Sequence, residues 1–309
     1  MPNIAKRRSF ISVIIATYNR SESLKETLES LVKQDCDGSY EYEVIVADNN
    51  SNDKTKETVE SYKSRSNGKL KYLFEPRQGK PYALNKGIAQ AKGEVIAFTD
   101  DDCIIDKYWL LNIAKSFNGD NSGINMVGGK SLPLWPNESR PNWFGDYFLG
   151  PLGILDYGDK PIIFESDSQR LFFGNNFAFK KKLFDTYGGF DTRMINAHDT
   201  EICSRFLRAG VKGLYNPDIK ILHKIPTNRL SPKYFYGWFY RRGKLWDLFE
   251  DKRVKFYYPL GIPLWFIKAF IEDGIKFMLA RKSYDRLKYG CRCARHLGKM
   301  AARIQKNII

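Results

Sequence analysis

Three polar clusters in the first third of the chain have the composition of binding sites. Asp100, Asp101 and Asp102 are consecutive carboxylates, a costly arrangement unless something positive sits among them. One solution is a divalent cation held by oxygen ligands, which can also grip a substrate's phosphates. The other is a helix cap, with Asp102 or Asp106 closing the start of a helix through Tyr108–Phe117. Thr17, Tyr18, Asn19 and Arg20 form a second cluster, and Asp48, Asn49, Asn50, Ser51, Asn52 and Asp53 a third.

The elements that must carry these clusters alternate in type. Phe10–Ala16 (FISVIIA) is a nearly continuous apolar run, the mark of a strand covered on both faces. Ser23 with Glu26 makes a capping box for a helix bearing Leu24, Leu28 and Leu31. Tyr42–Ala47 reads as a second strand, and Asp53 as the cap of a helix running through Val59. Leu70–Phe74 follows as a strand, Tyr82–Ala91 as a helix closed by Gly93, and Glu94–Thr99 as a fourth strand. Such repeated units imply an α/β fold with a mostly parallel sheet flanked by helices, Rossmann-like, whose ligands gather outside the carboxyl ends of the strands. All three clusters lie at such ends. No Gly-x-Gly-x-x-Gly follows the first strand, and no Gly-x-x-x-x-Gly-Lys-Ser/Thr occurs, which excludes the usual dinucleotide site and the P-loop.

Composition narrows the class. The 309 residues are 43% hydrophobic and 15% aromatic, enough for a packed core of one large domain or two. The longest apolar candidate for a membrane span, Phe256–Ala280, is broken by Lys268, Glu272, Asp273 and Lys276. The stretch Phe10–Ala16 is too short for a secretory signal and has no small-residue cleavage site after it. Five scattered cysteines (Cys36, Cys103, Cys203, Cys291, Cys293) argue against a disulfide scaffold or zinc ribbon and for a reducing cytoplasm.

The ordered motifs Ser12–Arg20 (SVIIATYNR), Val46–Asp53 (VADNNSND), Asn85–Gly93 (NKGIAQAKG), Phe98–Asp102 (FTDDD), Phe173–Phe179 (FGNNFAF), Gly188–Asp191 (GGFD) and His198–Arg205 (HDTEICSR) resemble family 2 glycosyltransferases of the GT-A fold. The resemblance spans roughly residues 10 to 245. It implies an inverting transfer of a sugar from a nucleotide-sugar, usually a UDP-sugar. Thr17, Tyr18, Asn19 and Asp48 then match the cradle for base and ribose, with Arg20 and Asn50 beside them on the donor side. Asp100-x-Asp102 matches the family's DxD, whose last aspartate ligates Mn²⁺ or Mg²⁺ under the diphosphate, with Asp100 as a further candidate ligand and Asp101 facing ribose or sugar hydroxyls. His223 resembles a further metal ligand of some GT-A enzymes, and a histidine after a strand also has a plain structural reading. Asn175 and Asn176 fall where relatives line the donor sugar. Arg229 can meet the diphosphate. Arg77 and Lys80 either neutralise it or form a solvated basic loop.

At the acceptor side the family carries Glu-Asp where this chain has His198-Asp199. Asp199 keeps the position of the general base, and the same residue with Thr200 can cap a helix over Glu201–Ala209 ending at Gly210. His198 can titrate near pH 7 and share the proton work. Trp135, Trp143, Phe144, Tyr147 and Tyr157 can stack on an acceptor sugar or pack internally.

The charge is uneven. Residues 229–309 hold 19 Lys+Arg against 6 Asp+Glu, a net +13 of the chain's +15. This predicts a glycosyltransferase domain over 1–228 and a basic, amphipathic helical region over 229–309. Within the latter, Ile262–Ala280 would set Phe266, Ile267, Phe270, Ile271, Phe277 and Met278 on one side and Lys268, Glu272 and Lys276 on another. The expected partners are a nucleotide-sugar, a glycan or lipid-linked acceptor and an anionic membrane surface, with no nucleic acid, and the expected place is peripheral on the inner face of the cell membrane. A nucleotidyltransferase, a catalytically dead sugar-binding homologue, and a nucleic-acid binder using the basic tail are the competing readings. The last of these leaves the Asp triplet unexplained.

Overall fold

In a computed structural model, residues 9–35, 38–118, 123–136, 139–167, 171–245, 262 and 264–308 are described. Cys36 and residues 256–261 of the apolar candidate segment lie outside them. The chain divides into two compact units, Met1–Leu134 with Gly153–Lys224, and Trp135–Leu152 with Ile225–Ile309.

The first unit is built on nine strands: β1 (Ser9–Thr17), β2 (Tyr40–Asp48), β3 (Leu70–Phe74), β4 (Val95–Asp100), β5 (Cys103–Ile105), β6 (Ile124–Leu134), β7 (Ile162–Phe164), β8 (Asn176–Lys180) and β9 (Lys212–Lys224). They form one sheet of order β3-β2-β1-β4-β8-β6-β9-β5, with β7 also on β9. The first four strands pair in parallel, as their alternation with helices requires, while β8, β5 and β7 run antiparallel to their partners. Successive side chains of β1 point to opposite faces. Ile11, Val13 and Ile15 meet α1 (Ser21–Val32), α2 (Thr55–Lys63) and α4 (Trp109–Asn118) through Leu24, Leu28, Val59 and Leu110. Ile14 and Ala16 share the other core with Ala83 and Leu84 of α3 (Lys80–Gln90) and with residues of α5 (Lys182–Tyr187) and α6 (His198–Arg208). On that face Phe98 is ringed edge-on by Phe177, Phe179, Phe184 and Phe190 at 5.3–6.0 Å.

Helix starts depart from the sequence reading because tertiary partners supply the caps. No Ser23–Glu26 box forms: α1 begins at Ser21, whose N–H donates to Asp53 Oδ2 from across the sheet end (2.9 Å). Asp53 also accepts from the Thr55 N–H at the start of α2. Asp106, not Asp102, accepts from the Tyr108 N–H at the entrance to α4 (2.8 Å), which leaves Asp102 for other work. Gly93 closes no helix in left-handed backbone. It is required by approach, since a Cβ there would lie 2.5 Å from the Ser12 nitrogen.

The second unit contains α7 (Pro232–Lys244), α8 (Leu264–Leu279) and α9 (Ser283–Ile308). The aromatic stretch is packing here. Phe144 and Phe148 meet Phe235, Trp143 meets Phe144 and Phe235, Trp135 meets Phe144, and Tyr147 stacks on Phe239 at 5.4 Å. Tyr157 belongs to the first unit, where its hydroxyl donates to the Leu171 carbonyl. The apolar residues of α8 do not share one side. Phe266 is buried, and so is Asp273, whose Oδ2 accepts from Arg292 Nε (2.9 Å) and His296 Nε2 (3.1 Å) of α9. Ile267, Ile271 (54% exposed), Ile275 and Met278 (75%) face outward.

Asn176 is part of the sheet's frame. Its Oδ1 accepts from Trp109 Nε1 (2.8 Å) and its Nδ2 donates to the Lys130 and Ile219 carbonyls (2.7 and 3.0 Å). Asn176→Ala is expected to cost about 3 kcal/mol at about 1 kcal/mol net per bond, read by urea unfolding. A loss below about 1 kcal/mol would contradict this role.

Candidate active site

Register brings the three clusters together. Thr17 is the Cα partner of Asp48, and Ala16 that of Asp100, so β1, β2 and β4 end side by side. Asp101 and Asp102 are both buried. Thr17 Oγ1 donates to Asp101 Oδ2 (2.7 Å), and Arg20 Nη1 spans Asp101 Oδ1 (3.0 Å) and Asp102 Oδ2 (2.7 Å). Burial pushes the Asp101 carboxyl up to about 6; Arg20 opposes this, and the charge of Asp102 adds to it. Burial by itself would lower the Arg20 guanidinium, but Asp101 and Asp102 together raise it, so it stays a fixed positive charge. Lys80, first residue of α3, pairs with Asp100. Its ammonium is raised despite burial, chiefly by Asp100 and then by Asp101 and Asp102.

β9 supplies the other wall. Cys103 and His223 are Cα partners across β5 and β9, and His223 Nε2 lies 3.1 Å from Asp102 Oδ1. Among the described residues, the ligand atoms of Asp102, Cys103 and His223 all fall within 4.8 Å of one another. Burial, then Asp102 and Asp100, push the Cys103 thiol well up, which disfavours its thiolate. The carboxylate and the imidazole beside it form a donor set that fits a divalent cation such as Mn²⁺. The buried His223 Nδ1 has no hydrogen-bond partner among the described residues. Asp100, expected as a further ligand, stands outside this group because it ends β4 facing Lys80.

The loops after β1 and β2 meet beside this cluster. Tyr18 is 48% exposed, free to stack on a planar ring. Asn19 and Asn50 take positive φ (51° and 67°), which asparagine tolerates. The Asn19 N–H donates to Ser51 Oγ and its Oδ1 accepts from the Asn52 N–H, knitting the two loops together. Asp48 is buried, accepting from the Ser51 N–H (2.9 Å) and from the Tyr72 hydroxyl (2.7 Å). Tyr72 and Glu75 carry no sequence signal for these roles, since each lies in or just after the plain strand β3. Arg77 is exposed, held in a two-pronged pair by Glu75 and lying over the Tyr82 ring. Arg77 pulls the Glu75 carboxyl well down.

On the acceptor side α6 starts at His198, three residues before the expected Glu201, because Ala197 turns the chain in left-handed backbone (φ 71°). Asp199 therefore sits in the first turn. Its Oδ2 accepts from the Gly174 N–H (3.2 Å) and its Oδ1 from the Thr200 N–H (2.7 Å). The start of a helix favours its ionised form. Burial lowers the His198 imidazole below its ordinary value, and its ring packs on Phe190. Asn85 of α3 clamps the preceding loop by bonding both the N–H and the carbonyl of Phe190 (2.8 Å each). Asn175 is buried next to His223 across Gly153, with Nδ2 on Ser131 Oγ and the Gly153 carbonyl. Asn176 does not join the site, since its amide is spent within the sheet. Arg229 lies in the second unit, in the turn Thr227–Arg229.

The model for glycosyl transferase family 2 matches residues 12–188. The glucosyl-dolichyl phosphate glucuronosyltransferase of Haloferax volcanii is 25% identical over 261 residues, 81% of this chain and 78% of that protein. Among solved structures, the Pyrobaculum calidifontis mannosyltransferase PcManGT in complex with GDP-Man and Mn²⁺ is 23% identical with a TM-score of 0.58, over 97% of this chain and 75% of its own. Residues 1–349 of Staphylococcus aureus TarS in complex with UDP are 18% identical with a TM-score of 0.50, over 96% and 91%. These structural likenesses establish a GT-A fold.

The Asp101 carboxyl, held above its ordinary 3.8, costs stability once ionised. That cost is absent below about pH 4 and complete above about pH 6. Arg20→Gln removes the charge that opposes this rise and carries the window upward. The melting-temperature deficit of the variant, measured in chelator, is expected to be smaller near about pH 5 than near about pH 8. An equal deficit at both would mean that Arg20 does not neutralise the pair.

Proposed function

Since the chain belongs to glycosyltransferase family 2, we propose that it is an inverting enzyme that moves a sugar from a UDP-sugar to a hydroxyl of a lipid-linked or glycan acceptor in cell-surface polysaccharide or glycolipid synthesis. The observation that carries this reading is the meeting of Asp102 and His223 beside Arg20 and Lys80 at the strand ends. Carboxylate, imidazole and two cations in one cluster suit a nucleoside diphosphate. Tyr18 would stack on the base, with Asp48 at its edge. Asp102 and His223 would hold Mn²⁺ or Mg²⁺, which when bound supplies positive charge to the diphosphate. Lys80, Arg77 and Arg20 add to that charge and favour departure of the nucleotide.

Asp199 is the proposed base. Its carboxylate takes the proton of the acceptor hydroxyl as that oxygen attacks the anomeric carbon, opposite the breaking bond to the diphosphate, and the configuration inverts. His198, packed on Phe190, supports the loop beside Asp199. The uridine reading draws on the family resemblance and on the UDP held by the TarS neighbour; the GDP-Man of PcManGT makes guanosine the alternative in any donor screen. The lipid-linked acceptor draws on the relative whose name specifies glucosyl-dolichyl phosphate.

A peripheral place on the inner face of a membrane fits such an acceptor. No helix among the described residues is long and apolar enough to cross a bilayer. The outward face of α8 instead presents Leu264, Trp265, Ile267, Ile271, Ile275 and Met278, with Lys268 and Lys276 beside it, the pattern of an interfacial helix on anionic lipid. Residues 1–228 would then carry the chemistry and 229–309 the docking.

In a screen of UDP- and GDP-sugars with Mn²⁺ and Mg²⁺, the native chain is expected to hydrolyse or transfer at least one. Asp199→Asn should keep donor affinity while turnover falls ~10²–10⁴-fold. Near-normal turnover would remove Asp199 from the role. In liposome flotation, Ile271→Glu with Ile275→Glu is expected to weaken binding to anionic vesicles about tenfold or more, and added salt to weaken the native chain. Equal flotation of variant and native chain would reject this face as the anchor.

A further inference from the structure

The segment Glu75–Gly79 between β3 and α3 has no regular structure, yet it carries Arg77, which is exposed and paired with Glu75, and leads directly into Lys80, which reaches Asp100 of the acidic cluster. Something must hold it there. Asn49, 4% exposed at the end of β2, spends its polar atoms on this task. Its Nδ2 donates to the Arg77 carbonyl (2.6 Å) and, at 3.4 Å, to the Glu75 carbonyl. Its Oδ1 accepts from the Gly79 N–H (2.8 Å), and its own carbonyl accepts from Gln78 Nε2 (2.8 Å). Its N–H donates to the Thr17 carbonyl (2.8 Å), which ties the clamp to β1. Gly79 takes a φ of 132°, open to glycine and rare for other residues, so the chain can turn straight from the clamp into α3.

We infer that Asn49 is a positioning residue that sets Lys80 and Arg77 against the donor's diphosphate. It acts through the loop and touches no substrate. The inference rests on the nucleotide-sugar reading of the site and goes beyond it by separating two subsites. Tyr18, after β1, and Asp48, the last residue of β2, serve the base, and the Asp48 carboxylate is held by the Ser51 N–H and the Tyr72 hydroxyl, bonds that do not pass through the Asn49 side chain. The β3–α3 loop meets Asp48 only through backbone, Glu75 N–H to the Asp48 carbonyl, whereas the stretch that leads to Lys80 is held by the Asn49 side chain. The clamp also explains why Lys80 can pay the entropy of a fixed pair with Asp100, since its backbone is already held.

The test is calorimetric binding of UDP and UMP, with GDP and GMP in parallel, to the native chain, Asn49→Ala, Lys80→Met and the double variant. Asn49→Ala and Lys80→Met are each expected to weaken the diphosphate about tenfold or more, the scale of a charged hydrogen bond, with the monophosphate nearly unchanged. The double variant should be no weaker than either single one, because Lys80 contributes nothing once its loop is released. Equal losses for mono- and diphosphate, or additive losses in the double variant, would overturn the assignment. Should Asn49→Ala fail to fold, Gly79→Ala strains the same turn from the other side, and the same selective loss of diphosphate affinity is expected; its absence counts against the clamp. If the native chain binds none of the four nucleotides, the nucleotide reading itself falls and the inference with it.

Discussion

Three adjacent carboxylates at the end of a central strand, two of them buried, are the constraint on which the rest of the structure depends. Burying like charges together costs several kcal/mol unless cations sit among them. Here Arg20 answers Asp101 and Asp102, Lys80 answers Asp100, and His223 faces the remaining oxygen of Asp102. Each of these partners comes from a different element: the loop after β1, the start of α3, and β9. The sheet must therefore close in one register for these partners to reach the carboxylates. A site that leaves Asp102 only partly balanced is also one prepared for a further positive charge.

Around that cluster the fold uses asparagines as clamps between loops. Asn49 fixes the loop that brings Lys80, while Asn85, further along α3, holds the Phe190 loop leading to His198 and Asp199. One helix thus touches both the acidic cluster and the loop before Asp199, and in the proposed reaction its position would set the relation between leaving group and base. In the second unit a buried carboxylate has a different effect. Asp273, drawn inward by Arg292 and His296, turns the apolar stripe of α8 outward.

Much of this could be read from the residues. Continuous apolar runs marked β1, β2 and β4, and the register of those strands brings the polar clusters that follow them together. What escaped had a common cause, in that long-range partners decided it. The start of α1 is set by Asp53, not by Ser23 and Glu26 nearby in sequence. The left-handed turn at Ala197 moved the start of α6, and with it the place of Asp199. Asn175 and Asn176 look alike in the chain, but only the first lies beside His223; the second is consumed by Trp109 and two carbonyls. The single apolar side expected of α8 is split, with Phe266 covered and Ile267, Ile271 and Met278 exposed, because the buried Asp273 faces the charges carried by α9.

The central claim is that Asp102 joins a divalent cation to a nucleoside diphosphate at this cluster. Its most direct test is calorimetry of UDP and GDP binding to the native chain and to Asp102→Ala, each in Mn²⁺ and in chelator. The account expects one of the two nucleotides to bind the native chain tightly in Mn²⁺ and weakly in chelator. Asp102→Ala should be weak in both, at the level of the native chain in chelator. Mn²⁺-dependent binding that survives in Asp102→Ala, or native affinity indifferent to chelation, would contradict it.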